Sequence, residues 1–439
     1  VNGDDAMTTI PEDARTTTPD RGGSTPGPRP AGARLSRHCA ALPPSVIAEA
    51  LRGAARDRAI SLAAGSPAAT ALPVDEVRSL IDRVLTRPGA LQYTDTGGLP
   101  ALREWFAADV SRRTGRAVHP RRIVVTHGSQ QGLDLVCRAL LDPGDTVLVD
   151  RPSYSGALQL LTLHQARVRD VPIASDPELT ALDRALARES SVRPVRMVYV
   201  VPSYANPTGD SLSAGQRAGL ARLAERYDCV VVEDDPYRQL GFRTSSADAV
   251  TDRGSDRGSE RVITLGSLSK VLSPAVRIGY LVAPEPLRTP LSRLKEAADL
   301  GNSALTQQLA HALLTTPGLL DHQVARLRGL YRERRDTLVA ALREHLGDEI
   351  AFAVPDGGFF VWARLTRGLD TTELLPTALG EGVAFVPGAA FYAREPERAT
   401  LRLSYATADP GELAEGCARL ARAVRTAGAK RAAAPSGGA

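Results

Sequence analysis

The sequence predicts an α/β fold, with a mostly parallel, helix-covered sheet in a large domain and a smaller α+β domain after it. Three observations predict this. Short β-branched runs alternate with helical stretches through the middle of the chain, the pattern of a parallel sheet wrapped by helices. The pattern changes after about residue 316, where a long amphipathic helix leads into short strands and a last helix. The residues able to do chemistry gather just past strand ends, where open α/β sheets bind their ligands.

Seven runs read as strands of the large sheet: 123–126, 146–150, 168–171, 196–201, 229–233, 262–265 and 278–282. Helices fall between most of them, for example 130–141 and 214–227. The linking helix, 319–346, carries many arginines at helical spacing, and its charged face is expected to be solvated. Short strands at 351–354, 359–365, 384–386 and 400–404 and a helix at 410–427 make up the smaller domain. Residues 1–36 are rich in Thr, Pro, Gly, Arg and Asp without apolar periodicity, so disorder is expected there. Residues 37–74 are expected to join the small domain, 75–316 to form the large domain and 317–427 the small one. An Ala/Pro/Gly-rich tail, 428–439, is expected to be disordered. Residues 244–260 contain Asp-Arg-Gly-Ser twice in succession and read as an exposed loop.

The chain has 439 residues, 43% hydrophobic and only 4% aromatic, so its core is built mainly from Ala, Val and Leu. A net charge of +4 is scattered rather than gathered in a Lys/Arg block, which argues against a nucleic-acid partner. The four cysteines show no CxxC spacing and no metal-ligand pairing with the seven histidines. Three of them lie in apolar stretches and read as buried thiols of a reducing compartment. No run of about 18 apolar residues and no signal-peptide core is present, so a soluble, cytoplasmic protein without a membrane partner is expected.

Only three of the 54 basic residues are lysines: Lys270, Lys295 and Lys430. A chain this biased toward arginine keeps a lysine where arginine cannot serve, because only the lysine amine can lose its proton and attack a carbonyl. Lys270 sits in Gly266-Ser267-Leu268-Ser269-Lys270, directly after a strand. Lys295 and Lys430 read as solvated surface. Thr126-His127-Gly128-Ser129-Gln130 joins a strand to a helix, and free N–H groups at such a start can cradle a phosphate. A plain turn is the competing reading, and His127 reads as structural, with nothing pairing to it. Tyr154 follows another strand and could stack on a flat ring or pad the core. Asn206 lies in Asn206-Pro207-Thr208-Gly209, a turn by itself. Glu233-Asp234-Asp235-Pro236-Tyr237 places carboxylates at a buried strand end, where they need a cationic partner such as a protonated pyridine. Arg277 could fork a phosphate. Arg402 alternates with leucines on an inner strand, which favours a bound carboxylate.

In this order the motifs resemble the fold-type I pyridoxal 5′-phosphate (PLP) aminotransferases of class I/II. The resemblance runs over about residues 45–425 and is carried by GSQQGLDLVCRALLDPGDTVLVDRPSYSGALQLL, YANPTG, VVVEDDPYRQL and GSLSKVLSPAVRIGYLVAP. Within the class the chain looks nearest to the α-aminoadipate, kynurenine and multi-substrate branch. The resemblance implies a seven-stranded large domain and a homodimer working on amino acids and 2-oxo acids by a ping-pong route. It implies that Lys270 holds PLP and moves the substrate proton, and that Asp234 pairs with the pyridine nitrogen. Asn206 and Tyr237 would bond the phenolic oxygen and Tyr154 would stack on the ring. Ser129, Gln130, Ser267, Ser269 and Arg277 would surround the phosphate, with Tyr93 reaching in from the partner. Arg402 would grip the substrate carboxylate, with Asn206 and Gly65 lining the substrate end.

Two departures bear on specificity. Ala63-Ala64-Gly65-Ser66-Pro67 stands where relatives often carry Ala-Gly-Gly, and His127 stands where they carry a small or polar residue. A β-lyase, oxidase or cyclase would use the same cofactor site. A PLP-sensing MocR-like regulator would need a DNA-binding module, which the short, charge-balanced front end does not supply.

Overall fold

The computed structural model describes residues 35–40, 42, 44–242 and 260–433. The expectations of disorder for the chain's first residues, of a loop over most of 244–260 and of disorder at the extreme tail lie outside these. The helix Val46–Arg56 and a two-residue strand, Ile60–Ser61 (β1), precede the large sheet. That sheet holds Ile123–Thr126 (β2), Thr146–Asp150 (β3), Arg167–Val171 (β4), Val195–Val200 (β5), Val230–Asp234 (β6), Val262–Ser267 (β7) and Gly279–Val282 (β8). Its spatial order is β2-β8-β7-β6-β5-β3-β4. Strand β8 runs antiparallel to both neighbours, and every other pair is parallel.

Strands β2, β3, β6 and β8 are buried at every position, as the unbroken apolar runs of a sheet covered on both faces require. Each fully buried Val or Leu contributes roughly 1.5–3 kcal/mol. The edge strand β4 is instead half-buried and charged, which protects an open edge. The C-terminal ends of β2, β3, β5, β6 and β7 all reach the same margin of the sheet. There Gly279 of β8 passes beneath the start of the helix Gly128–Leu140. A Cβ on Gly279 would stand 2.7 Å from the Gly128 Cα, so only glycine lets the helix begin so close to the strand.

The smaller domain has Ile350–Phe352 (β9), Phe360–Leu365 (β10), Val383–Ala384 (β11), Val386–Pro387 (β12) and Thr400–Ser404 (β13). Strands β12-β13-β10-β9 form an antiparallel sheet, and β11 pairs with β1, which ties the N-terminal segment to this domain. The helix Leu319–Leu346 spans the predicted residues, but its arginine face is not wholly solvated: Arg334 is buried and donates to the Ala406 carbonyl at 2.6 Å. The last helix runs on to Ala433, beyond the predicted 427, because its Ala/Arg/Lys sequence favours helix. Among the described residues no helix is long and apolar enough to cross a membrane.

Lys295 corrects the sequence reading. It is fully buried between the helices Glu285–Asp299 and Gly128–Leu140. Its ammonium donates to both Asp299 oxygens, at 2.8 and 3.0 Å, and to Gln131 Oε1 at 3.2 Å. Three donors meet three acceptor contacts, which a compact ammonium can do where a planar guanidinium cannot. His127 is also paired, contrary to expectation. Its Nε2 lies 3.2 Å from Asp299 Oδ2 and its Nδ1 3.2 Å from Asn302 Nδ2. The pattern missed His127 because Asp299 and Asn302 lie far along the chain, and Lys295 because its burial is set by the neighbouring helix rather than by Asp299 four residues on. Breaking a buried pair from one side costs about 3–5 kcal/mol. Asp299→Ala should therefore lower urea-unfolding stability by about 3 kcal/mol, the small end, since Asp299 is partly exposed. Lys295→Met in the same chain should recover most of the loss; an unchanged midpoint for Asp299→Ala would contradict the pairing.

Candidate active site

At the sheet margin a cavity of about 490 Å3 is lined by every site residue expected from the sequence except Tyr93. The phosphate end is built on the helix Gly128–Leu140. Gly128 has φ +75, and Ser129 and Gln130 follow at the helix start, where unpaired N–H groups and the helix dipole favour an anion. Opposite them Ser267 ends β7, and its Oγ accepts from the Ser269 N–H at 3.2 Å. Arg277 takes a left-handed backbone (φ 51) and donates to the His127 carbonyl at 2.8 Å, which brings its guanidinium to Gly128. Tyr154, past the end of β3, lies across Gly156: a Cβ on Gly156 would stand 2.5 Å from the Tyr154 ring.

Asp234 closes β6 and is buried. The Tyr199 hydroxyl donates to its Oδ2 at 3.0 Å, while its Oδ1 is buried with no hydrogen-bond partner among the described residues. Burial pushes the Asp234 pKa up to about 6, against the pull of Ser129 and Tyr199. Its neighbour Asp235 is different: Arg238 lies 2.7 Å away and Arg217 3.7 Å away, and together they hold its pKa below the usual range despite burial. Among the described residues, the acid of this pair with no ion-pair partner is therefore Asp234, with Lys270 acting on it only from farther off. Tyr199 was missed by sequence reasoning. The register could have found it, because Tyr199 pairs with Val232 and so shares a face with Asp234, two residues on.

Lys270, beyond β7, donates to the Gly65 carbonyl at 2.8 Å and sits 5.8 Å from the Tyr237 ring centroid. Burial first, then the nearby Arg402 and Arg277 charges, lowers its pKa to about 8, with Asp234 opposing. Asn206 and Tyr237 are both buried, and the Asn206 amide eases the Tyr237 phenol downward while burial drives it up.

Arg402 sits at the middle of β13, only 1% exposed. It donates to Asn206 Oδ1 at 2.8 Å and to the Ala63 carbonyl at 2.6 Å, with the Phe360 ring 4.2 Å and the Phe391 ring 5.2 Å away. Among the described residues its Nε has no partner and no carboxylate pairs with it; burial lowers its pKa to about 10. A buried guanidinium held only by neutral groups is set to receive an anion. The aromatic walls and the Ala63 carbonyl were not foreseen, since they come from distant segments. Tyr93 does not line this cavity; it stands 81% exposed on the segment after Leu91.

The family model for class I and II aminotransferases matches residues 57–420. The chain is 40% identical over 385 residues to the 2-aminoadipate transaminase of Thermus thermophilus, covering 87% of this chain and 94% of that one. The crystal structure of LysN, the α-aminoadipate aminotransferase of Thermus thermophilus, was solved with N-(5′-phosphopyridoxyl)-L-leucine. It superposes with a TM-score of 0.79 at 38% identity, over 90% of this chain and 98% of that one. The kynurenine aminotransferase of Pyrococcus horikoshii, solved with pyridoxamine phosphate, gives a TM-score of 0.82 at 32% identity, over 89% and 97% of the two chains.

Proposed function

Because this chain belongs to the class I and II aminotransferase family, we propose that the cavity at the sheet margin is its active site, with each residue in the role set out below. The enzyme uses pyridoxal 5′-phosphate to move an amino group between an amino acid and a 2-oxo acid. One observation carries the site assignment. Among the described residues, a lysine with a lowered pKa, a buried carboxylate with an orphaned oxygen and a buried arginine without a counter-ion line the same cavity.

These residues fit the cofactor. Asp234 Oδ1 would take the ring N–H, Tyr154 would lie against the ring, and Asn206 and Tyr237 would bond its phenolic oxygen. The helix start at Gly128, with Ser129, Gln130, Ser267, Ser269 and Arg277, would hold its phosphate. When bound, the cofactor supplies an electron sink for the pair left behind as the substrate Cα–H bond breaks. Arg402 orients that bond by gripping the α-carboxylate with Asn206 beside it, and Gly65 leaves room at the substrate end. Lys270 Nζ can take the Cα proton and return it, since its pKa near 8 lets it serve as both base and acid close to neutrality. One arginine serving amino and oxo acids alike supports a ping-pong route.

The relatives act on 2-aminoadipate and kynurenine by name, which supports a donor with a side chain of about that length. We also propose a homodimer in which Tyr93 completes the partner's phosphate site. The 81% exposure of both Leu91 and Tyr93 supports this, as does the anchoring of the segment by Thr94 and Thr96 to Asn302 and Leu300. Sedimentation should give twice the chain mass, and a monomer at micromolar concentration would exclude the dimer.

The pH dependence of cofactor capture tests the Lys270 assignment. Only the neutral amine attacks the cofactor aldehyde, so a lowered pKa brings reactivity to lower pH. Capture by apoenzyme should rise through pH about 8 and then level off. A profile still climbing toward the ordinary lysine value of 10.5 would contradict the burial of Lys270.

A further inference from the structure

A second cavity, of about 390 Å3, adjoins the active-site cavity, and Ile47 and Gln159 line both. Each volume falls within the range of roughly 300–1,000 Å3 typical of small-molecule sites. Among the described residues, no hydrogen-bond partner holds the Gln159 carboxamide in the partition between the two cavities. On the helix Val46–Arg56, Ile47 and Leu51 are spaced i, i+4 and face the first cavity together, and Leu51 keeps 36% of its surface exposed. Beyond the partition the walls are mainly aliphatic, with Val46, Leu158, Val168 and Ala390 among them. The cations lining the first cavity are Lys270, Arg277 and Arg402, each with a role already, and the second has only Arg394, exposed at its rim. Among the described residues no further buried cation lines either cavity to meet a side-chain carboxylate.

We propose that the second cavity is a side-chain subsite for amino and 2-oxo acids with long apolar side chains, straight aliphatic or arylalkyl. The α-carboxylate stays on Arg402 while the chain runs over Leu51 and Ile47 and displaces Gln159 to enter. The proposal rests on the assignment of Arg402 to the carboxylate.

The test is calorimetric binding of unreactive straight-chain carboxylates, from butanoate to decanoate, to the PLP-loaded enzyme. Transamination of the matching straight-chain L-2-amino acids is measured in parallel. Burying one methylene changes affinity by about three- to fourfold. Kd should therefore fall by that factor per carbon through decanoate. Thr162 lines only the second cavity, and its Oγ1 bonds only the Leu158 carbonyl of its own helix, at 2.9 Å. Thr162→Trp should flatten the series beyond hexanoate and leave butanoate unchanged. Ala166→Leu, a smaller filling of the same cavity, should flatten it later. A wild-type series that stops falling at hexanoate overturns the subsite, as does a Thr162→Trp series with the wild-type slope. If the carboxylates follow the expected series but no amino acid is turned over, the subsite stands and the proposed catalytic roles fail.

Discussion

Lys270→Ala should lose transamination by at least about four orders of magnitude, because it removes the covalent anchor and the proton carrier in one step. The same variant should melt no lower than the parent. Burial and two neighbouring guanidiniums already disfavour the Lys270 charge, and among the described residues its only hydrogen bond is to the Gly65 carbonyl. Loss of activity together with loss of stability would instead mark Lys270 as a structural residue. Lys270→Arg should not rescue, since a guanidinium keeps its proton at any working pH. Retention of more than a hundredth of the activity in either variant would remove Lys270 from the reaction.

Arg402→Ala is expected to have the second largest effect. The guanidinium is buried between two aromatic rings and has no counter-ion among the described residues, so a substrate carboxylate bound there is desolvated and held by a fork. Removing one member of a buried charge pair at a binding site costs roughly 2–5 kcal/mol. kcat/KM should thus fall by roughly thirty- to five-thousandfold for the amino acid and for the 2-oxo acid alike. Arg402→Lys keeps the charge but loses the two-pronged geometry, and should recover little. A fall confined to one half-reaction would contradict a single carboxylate anchor.

Most of the fold was legible because periodicity and chain order survive in the sequence. Each of the seven large-sheet strands lies where β-branched runs stand between helices, within about two residues at its ends. Local motifs carried most of the cavity, because Asp234 ends a strand and Ser129, Tyr154, Asn206 and Lys270 each stand within the segment after one. What stayed hidden depends on contacts between distant segments. Tyr199 is legible only once the β5–β6 register is known. Lys295 looked exposed because its helix is amphipathic, and its burial depends on how that helix lies on the one beginning at Gly128. The choice of Asp234 over Asp235 came from the resemblance. The physical reason is that Arg217 and Arg238 neutralise Asp235 and leave Asp234 without an ion-pair partner among the described residues.

The most direct measurement is to reduce the PLP-loaded enzyme with borohydride, digest it and locate the pyridoxyl group by peptide mass spectrometry. The account predicts one modified residue, Lys270, in the peptide containing Gly266-Ser267-Leu268-Ser269. An adduct on Lys295 or Lys430 with Lys270 unmodified would contradict it, as would an enzyme that turns over substrate while fixing no cofactor at all.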